Sequence, residues 1–222
     1  MRAGNQLYRS GGDLPELLPV FPLSGALLLP GGQMPLNIFE PRYLQMIDDA
    51  LAGSRIIGMV QPRFDVEVTA DKPLLCAVGC MGRLTSISEA GDGRYLIALN
   101  GICRFRILEE ISGRHPYRMV RFSPFLADLN DNDEGDDVDR AGLLTAFRAY
   151  LETNDMEADW ESVERASNAT LVNALSMMSP YGPPEKQALL EAPDLKARAE
   201  TLIAITEMHL ARGGDEPGPT LQ

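Results

Sequence analysis

Residues 18–51 read LPVFPLSGALLLPGGQMPLNIFEPRYLQMIDDAL, and the order of patterns inside them decides the fold. Apolar runs at 17–23, 26–29 and 36–39 are separated by Pro and Gly punctuation, the strongest being the Pro30-Gly31-Gly32 turn. Short apolar runs bounded by such residues predict strands. Pro41, suited to the first turn of a helix, then opens a different period. Tyr43, Leu44, Met46, Ile47, Ala50 and Leu51 recur at helical spacing, and Gly53 can stop the helix. The stretch predicts β structure interrupted early by one helix.

Downstream the strand character continues. Ile56 to Val60 reads as a strand, and Arg94 to Ile107 alternates most clearly. Tyr95, Ile97, Leu99, Cys103, Phe105 and Ile107 fall on one face, with Arg94, Asn100, Arg104 and Arg106 on the other. Gly101 falls on the apolar side, where a bend or a close backbone approach is expected. Glu89-Ala90-Gly91-Asp92-Gly93 signals a hairpin, with Ala77 to Ser88 as antiparallel partner. Tyr117 to Phe125 supplies one more strand. Short strands with a single early helix predict a small closed or partly closed β-barrel.

Composition changes at residues 128–139, DLNDNDEGDDVD, where seven of twelve residues are acidic. Asp128, Asn130, Asn132 and Asp139 match calcium-loop positions, but Asp133 stands where glycine is needed and Asp139 where a bidentate Glu is usual. A solvated linker is the expected reading. Beyond it the periodicity is helical: Leu143, Leu144, Phe147, Tyr150 and Leu151; then Leu171, Val172, Leu175 and Met178; then a short helix after Pro183-Pro184; then a last one from Pro193. The expected organisation is an extension at 1–16, the barrel at 17–127, the linker at 128–139, a helical bundle at 140–212, and a disordered tail at 213–222. The fold class is α+β.

A net charge of −12 in 222 residues, with only three lysines, disfavours a polyphosphate partner. The N-terminus lacks the continuous apolar core of a secretory signal, and no apolar run approaches the length of a membrane span. Cys76, Cys80 and Cys103 lie in apolar segments and read as buried thiols in a reducing compartment. A cytoplasmic protein is expected.

Catalytic chemistry finds little footing. No Gly-Lys pair exists for a phosphate loop, and Pro30-Gly31-Gly32-Gln33 leads into Met34-Pro35, which cannot start the helix such a loop requires. Lys72, Lys186 and Lys196 read as solvated lysines without the apolar setting of a catalytic base. His115 and His209 lack a nucleophile elbow. Cys76-x-x-x-Cys80 lacks the further ligands that a tetrahedral metal site needs. No catalytic residue, cofactor or metal is expected.

The motifs nevertheless resemble one family. Leu18-Pro19-Val20-Phe21-Pro22-Leu23 followed by Leu29-Pro30-Gly31 is similar to the entry pattern of the Lon substrate-binding domain, the N-terminal module of Lon-type ATP-dependent proteases. Phe39-Glu40-Pro41-Arg42-Tyr43 looks like the form common in free-standing members and in eukaryotic multi-domain proteins that carry this module. Gly79 to Ile87, Gly93 to Gly101, Arg104 to Ile107, Pro116-Tyr117 with Val120, and Glu185-Lys186-Gln187-Ala188-Leu189-Leu190-Glu191 extend the match over most of residues 17–210. The resemblance implies a PUA-like barrel with a helical bundle, and a module that recognises unfolded or degron-bearing proteins. ATPase and peptidase portions are absent, so a free-standing, non-catalytic binding module is expected.

Two surfaces are candidates for binding peptide. Phe39, Glu40, Arg42 and Tyr43, with the Pro30-Gly31-Gly32 turn, form the first; anchoring of the helix explains the same residues structurally, with Arg42 paired to Glu40. Met177 and Met178 form the second, flexible thioethers being suited to varied apolar ligands as well as to filling cores. The expected function is a peptide- or protein-binding module, an adaptor in protein quality control working on unfolded segments and with a separate Lon-type protease. A PUA-like RNA binder using the Arg94, Arg104 and Arg106 face is the alternative, and a cryptic hydrolase the second alternative.

Overall fold

The computed structural model describes residues 1–64, 73–113, 115–130 and 137–213. Lys72, Asn132 and Asp133 of the calcium-loop pattern, and the tail beyond Gly213 lie outside these residues.

A two-stranded hairpin, β1 (Arg2–Ala3) and β2 (Gln6–Leu7), precedes the main sheet. Residues 18–51 then supply β3 (Leu18–Pro22), β4 (Gln33–Ile38) and α1 (Pro41–Ala52). Pro41 sits in the first helical turn, and the Gly53 N–H bonds back to the Ala50 carbonyl, as the local signals predict. Helix α1 buries Tyr43, Met46, Ile47 and Ala50, one helical stripe. The expected strand at 26–29 does not form. Leu27, Leu28 and Leu29 are buried without strand pairing; a Cβ on Gly82 would lie 2.8 Å from Leu28 Cδ2. An unalternating apolar run specifies burial, not pairing.

The remaining strands are β5 (Ile56–Val60), β6 (Val78–Glu89), β7 (Tyr95–Ile111) and β8 (Arg118–Pro124). Their order is β4-β7-β6-β5-β3-β8, and β8 also pairs with β7. The pairings β3–β5–β6–β7–β8 therefore return to β3, with β4 outside on the edge of β7. Among the described residues only β3 and β5 run parallel.

One bulge corrects the expected faces of the longest strand. Met81 pairs with Cys103 but Gly82 with Gly101, so Ile102 is an extra residue in β7. An extra residue inverts the alternation beyond it. Ile97 and Leu99 face the helices, in one core cluster with Phe21, Tyr43, Ile47, Leu189 and Leu202. Cys103 and Phe105 face the other way, in a second cluster with Leu18, Val20, Ile56, Met81 and Val120. The bulge also moves Arg104 to the side that carries Ile97, so Arg94, Arg104 and Arg106 do not form one exposed basic stripe. Phe105 fits because Gly58 and Gly79 lack side chains; a Cβ on either would lie 2.7–2.8 Å from its Cζ.

The C-terminal part is helical: α2 (Arg140–Thr153), α3 (Trp160–Arg165), α4 (Asn168–Met178), α5 (Pro183–Glu191) and α6 (Leu195–Gly213). Asp139, Asp159 and Ser167 cap the first three, each side chain accepting a backbone N–H. The short α3 carries no apolar stripe, so periodicity does not announce it. The whole is a mixed α+β fold. Among the described residues no helix is long and apolar enough to cross a membrane.

Buried polar groups join the two parts. Gln61 donates to the Pro183 carbonyl at 3.0 Å and to Gln187 at 3.1 Å, while Gln187 donates to the Val78 carbonyl at 3.1 Å. Lys186 is the plainest correction to the expected solvated lysines. It is 4% exposed, and its ammonium donates to the carbonyls of Ser176 at 3.0 Å and Met177 at 2.7 Å. The charge lies at the C-terminal end of α4, where the helix dipole favours a cation. A charged helical pattern does not reveal that α5 is covered on both sides.

Burial lowers Lys186 from the usual lysine value to about 8. Between that value and the ordinary 10.5 the unfolded chain holds a proton that the folded chain has lost, so this residue makes stability rise with pH across the window. The buried thiols act in the opposite sense: burial raises Cys80 well above its usual value and Cys103 to about 12. Comparison with Lys186→Met isolates the lysine. The unfolding free energy of the parent, measured against the variant, is expected to rise by about 2–3 kcal/mol from neutral pH to pH ~10.5. A difference that stays flat across those pH values would mean that Lys186 is solvated.

Candidate functional site

The two candidate surfaces of the sequence lie at opposite ends of β4. At its C-terminal end Phe39 presents its ring to solvent, 64% exposed, and does not anchor the helix. Tyr43 does: it is 7% exposed, its ring 4.2 Å from that of Phe21. Arg42 pairs with Glu40 at 2.7 Å and lies over the Tyr43 ring at 4.7 Å. Burial raises the Tyr43 phenol. Nearby, the Tyr117 hydroxyl donates to Asp49 at 2.6 Å, a bond that holds the carboxyl below its usual range; Gln45 donates to the same group at 2.9 Å. The ring of His115 stacks on Tyr117 at 5.0 Å. These contacts fasten α1 to the strands and leave Phe39 as the accessible apolar group.

At the other end of β4 lies a cleft of about 600 Å³. Its walls are the Pro30–Gln33 turn, one face of α4 from Ala169 to Met178, and the start of α6 at Leu195 and Arg198. The turn thus joins the methionines, not Phe39. Seven residues of extended chain from Gly32 to Phe39 separate the ends by roughly 20 Å. None of Phe39, Glu40, Arg42 or Tyr43 lines the cleft.

Two glycines admit close approaches at the Pro30–Gln33 wall. Met177 lies against Gly32, where an added Cβ would sit 3.1 Å from its Cε and closer still to its Sδ. Gly101 underlies the turn: Gly31 donates to its carbonyl at 3.0 Å and its own N–H donates to Gly32 at 2.8 Å. On the helical side Asn173 donates to the Pro30 carbonyl at 3.3 Å and accepts from Arg198 at 3.0 Å. The α4 end is held by Lys186 and by Ser179, whose hydroxyl donates to Leu175 at 2.7 Å. With its backbone so fixed, Met178 projects outward, 82% exposed.

Arg104 forms the floor. At 5% exposure it makes a two-pronged ion pair with Asp128, Nε to Oδ2 at 2.8 Å and Nη2 to Oδ1 at 2.7 Å. It also donates to the carbonyls of Leu190, Ala192 and Pro193 at the end of α5. Asp128 accepts from the Arg104 N–H as well, at 2.9 Å. The first residue of the acidic run is therefore a structural ligand to arginine, not part of a solvated segment. Its side chain carries no signal in sequence that separates it from the carboxylates that follow.

Chemically the cleft is a mostly apolar recess in which Arg104 bonds to Asp128 and Arg198 to Asn173. Recesses of this kind suit ligands with apolar side chains. Among the described residues, no group of three His, Cys, Asp or Glu side chains lies close enough to hold a metal.

Comparison with known proteins gives a consistent pattern. The family model of the ATP-dependent protease La (LON) substrate-binding domain matches residues 17–207. Lon protease 2 of Myxococcus xanthus is 27% identical over 198 residues, covering 87% of this chain and 24% of that protein. Lon protease of Flavobacterium johnsoniae is 30% identical over 196 residues, covering 86% and 24%. The chain thus spans about a quarter of the length of these relatives. Among solved structures, the Lon N-terminal domain protein from Xanthomonas campestris superposes with a TM-score of 0.61 at 24% identity, over 85% of this chain and 97% of that one. The N-terminal domain of the Mycobacterium avium complex Lon protease gives 0.61 at 20% identity, over 87% and 99%.

Proposed function

The chain belongs to the LON substrate-binding domain family, and from that premise we propose that it is a non-catalytic module that captures unfolded or degron-bearing protein segments in its cleft. The observation that carries this reading is the apolar recess between the Pro30–Gln33 turn and the Met177-Met178 end of α4. Fixed backbone with flexible thioethers suits apolar side chains of varied shape. The exposed Phe39 ring, beside the Glu40–Arg42 pair and the buried Tyr43, is a secondary contact for longer segments. The strand circuit is read as a PUA-like barrel, with α2 to α6 as the helical bundle beside it. We place the protein in the cytoplasm, as an adaptor in quality control that hands its clients to a Lon-type protease.

Fluorescence anisotropy with a short labelled peptide rich in Leu and Phe tests the site. Met178→Asp is expected to weaken binding about tenfold, the cost of a charge at a desolvated apolar contact. Phe39→Ala is expected to weaken it less. Equal affinity in Met178→Asp and the parent, both folded by circular dichroism, would remove the cleft from the reading. A large loss in Phe39→Ala alone would move the site to the far end of β4.

A further inference from the structure

We propose that Met178 is a peroxide-sensitive modification site whose oxidation to the sulfoxide lowers the affinity of the cleft for apolar peptide. The inference rests on the binding reading above and adds a regulation to it. Three observations carry it. Met178 is 82% exposed, against 53% for Met156 and 41% for Met208, while Met46, Met59 and Met81 are buried. Thioether oxidation follows access, so Met178 reacts first. It belongs to the wall of the cleft, which neither Met156 nor Met208 lines. Finally, the helix end beneath it is held by bonds that do not involve the side chain: Lys186 to the carbonyls of Ser176 and Met177, and the Ser179 hydroxyl and N–H to Leu175.

The step balances with hydrogen peroxide as oxidant. A sulfur lone pair attacks one peroxide oxygen, the O–O bond breaks, an S=O bond forms, and water leaves. The product replaces a flexible apolar group with a polar one at the rim. Because the side chain stands in solvent, the added oxygen meets no packed neighbour, and the fold is retained. Met177 differs: its sulfur lies against Gly32, so oxidation there requires movement of the turn and comes later.

The experiment follows graded peroxide treatment of the intact chain by peptide mapping in a mass spectrometer, with anisotropy of the same labelled Leu- and Phe-rich peptide. Met178 is expected to oxidise before every other methionine within the cleft and both exposed ones outside it. Affinity is expected to fall about fivefold in step with that product, and to return after treatment with methionine sulfoxide reductases. Met178→Leu, compared with its own untreated affinity, is expected to show no change on oxidation, whereas Met156→Leu responds like the parent. Binding that survives complete Met178 oxidation would overturn the switch alone, as would an equal loss in oxidised Met178→Leu. Failure of the untreated parent to bind the peptide would overturn the binding reading and the switch together.

Discussion

Arg104→Leu is expected to lose roughly 3–5 kcal/mol of unfolding free energy, the usual consequence of removing one partner from a buried ion pair. The reason lies in what the guanidinium holds. It satisfies both oxygens of Asp128 and three carbonyls at the end of α5, from a position on β7 in the middle of the sheet. Leucine would leave the Asp128 carboxylate, 10% exposed, without its counter-charge and the α5 carbonyls without donors. Lysine at this position keeps the charge but not the fork, so Arg104→Lys should fall between parent and leucine variant. The double variant Arg104→Leu, Asp128→Leu should recover part of the loss, because it removes the orphaned charge. Urea titration reads all four proteins. A leucine variant within about 0.5 kcal/mol of the parent would show that the pair is solvated.

Gly101→Ala is expected to be nearly as damaging, upward of about 3 kcal/mol, and to disable the cleft as well. A Cβ there would lie 2.8 Å from the Leu29 carbonyl carbon, closer to its oxygen, and 3.3 Å from Pro30 Cα. These are backbone atoms, and they cannot rotate away as a side chain would. Relief requires lifting the Pro30–Gln33 turn, which breaks the bonds from Gly31 to Gly101 and from Gly101 to Gly32. The same turn is one wall of the cleft, so any folded fraction should bind the labelled peptide poorly. Gly91→Ala, in the hairpin with nothing within 4 Å of the added Cβ, is the control and should melt like the parent. Matching melting curves for the two alanine variants would sink the close-approach argument.

Both predictions depend on residues whose roles differ in legibility. Gly101 was readable: a glycine on the apolar side of an alternating strand predicts a close backbone approach, and the Leu29 carbonyl supplies it. The helix at Pro41–Ala52 and strand β5 were readable because each depends on local period and punctuation. The family was readable from motifs spread along the chain. Arg104, by contrast, read as one of three arginines on an outer face. A single extra residue at Ile102 turned it inward, and no local signal distinguishes a bulge there from continued alternation.

The same division applies to the site. Met177, Met178 and the Pro30-Gly31-Gly32 turn are separate features in the sequence, where adjacency pairs the turn with Phe39. The chain leaves the turn as extended β4 and carries Phe39 roughly 20 Å away, while α4 returns Met177 to Gly32 from far along the sequence. Lys186 and Asp128 lay in runs of charge that look alike residue by residue. Periodicity and turn chemistry act over a few neighbours, and they determined which elements form and roughly where each ends. Which polar groups are taken out of water, and which apolar ones meet to make a recess, depends on how those elements pack. That packing turns on one bulge, on glycines that admit a neighbour, and on partners tens of residues away, so only the tertiary structure could decide it.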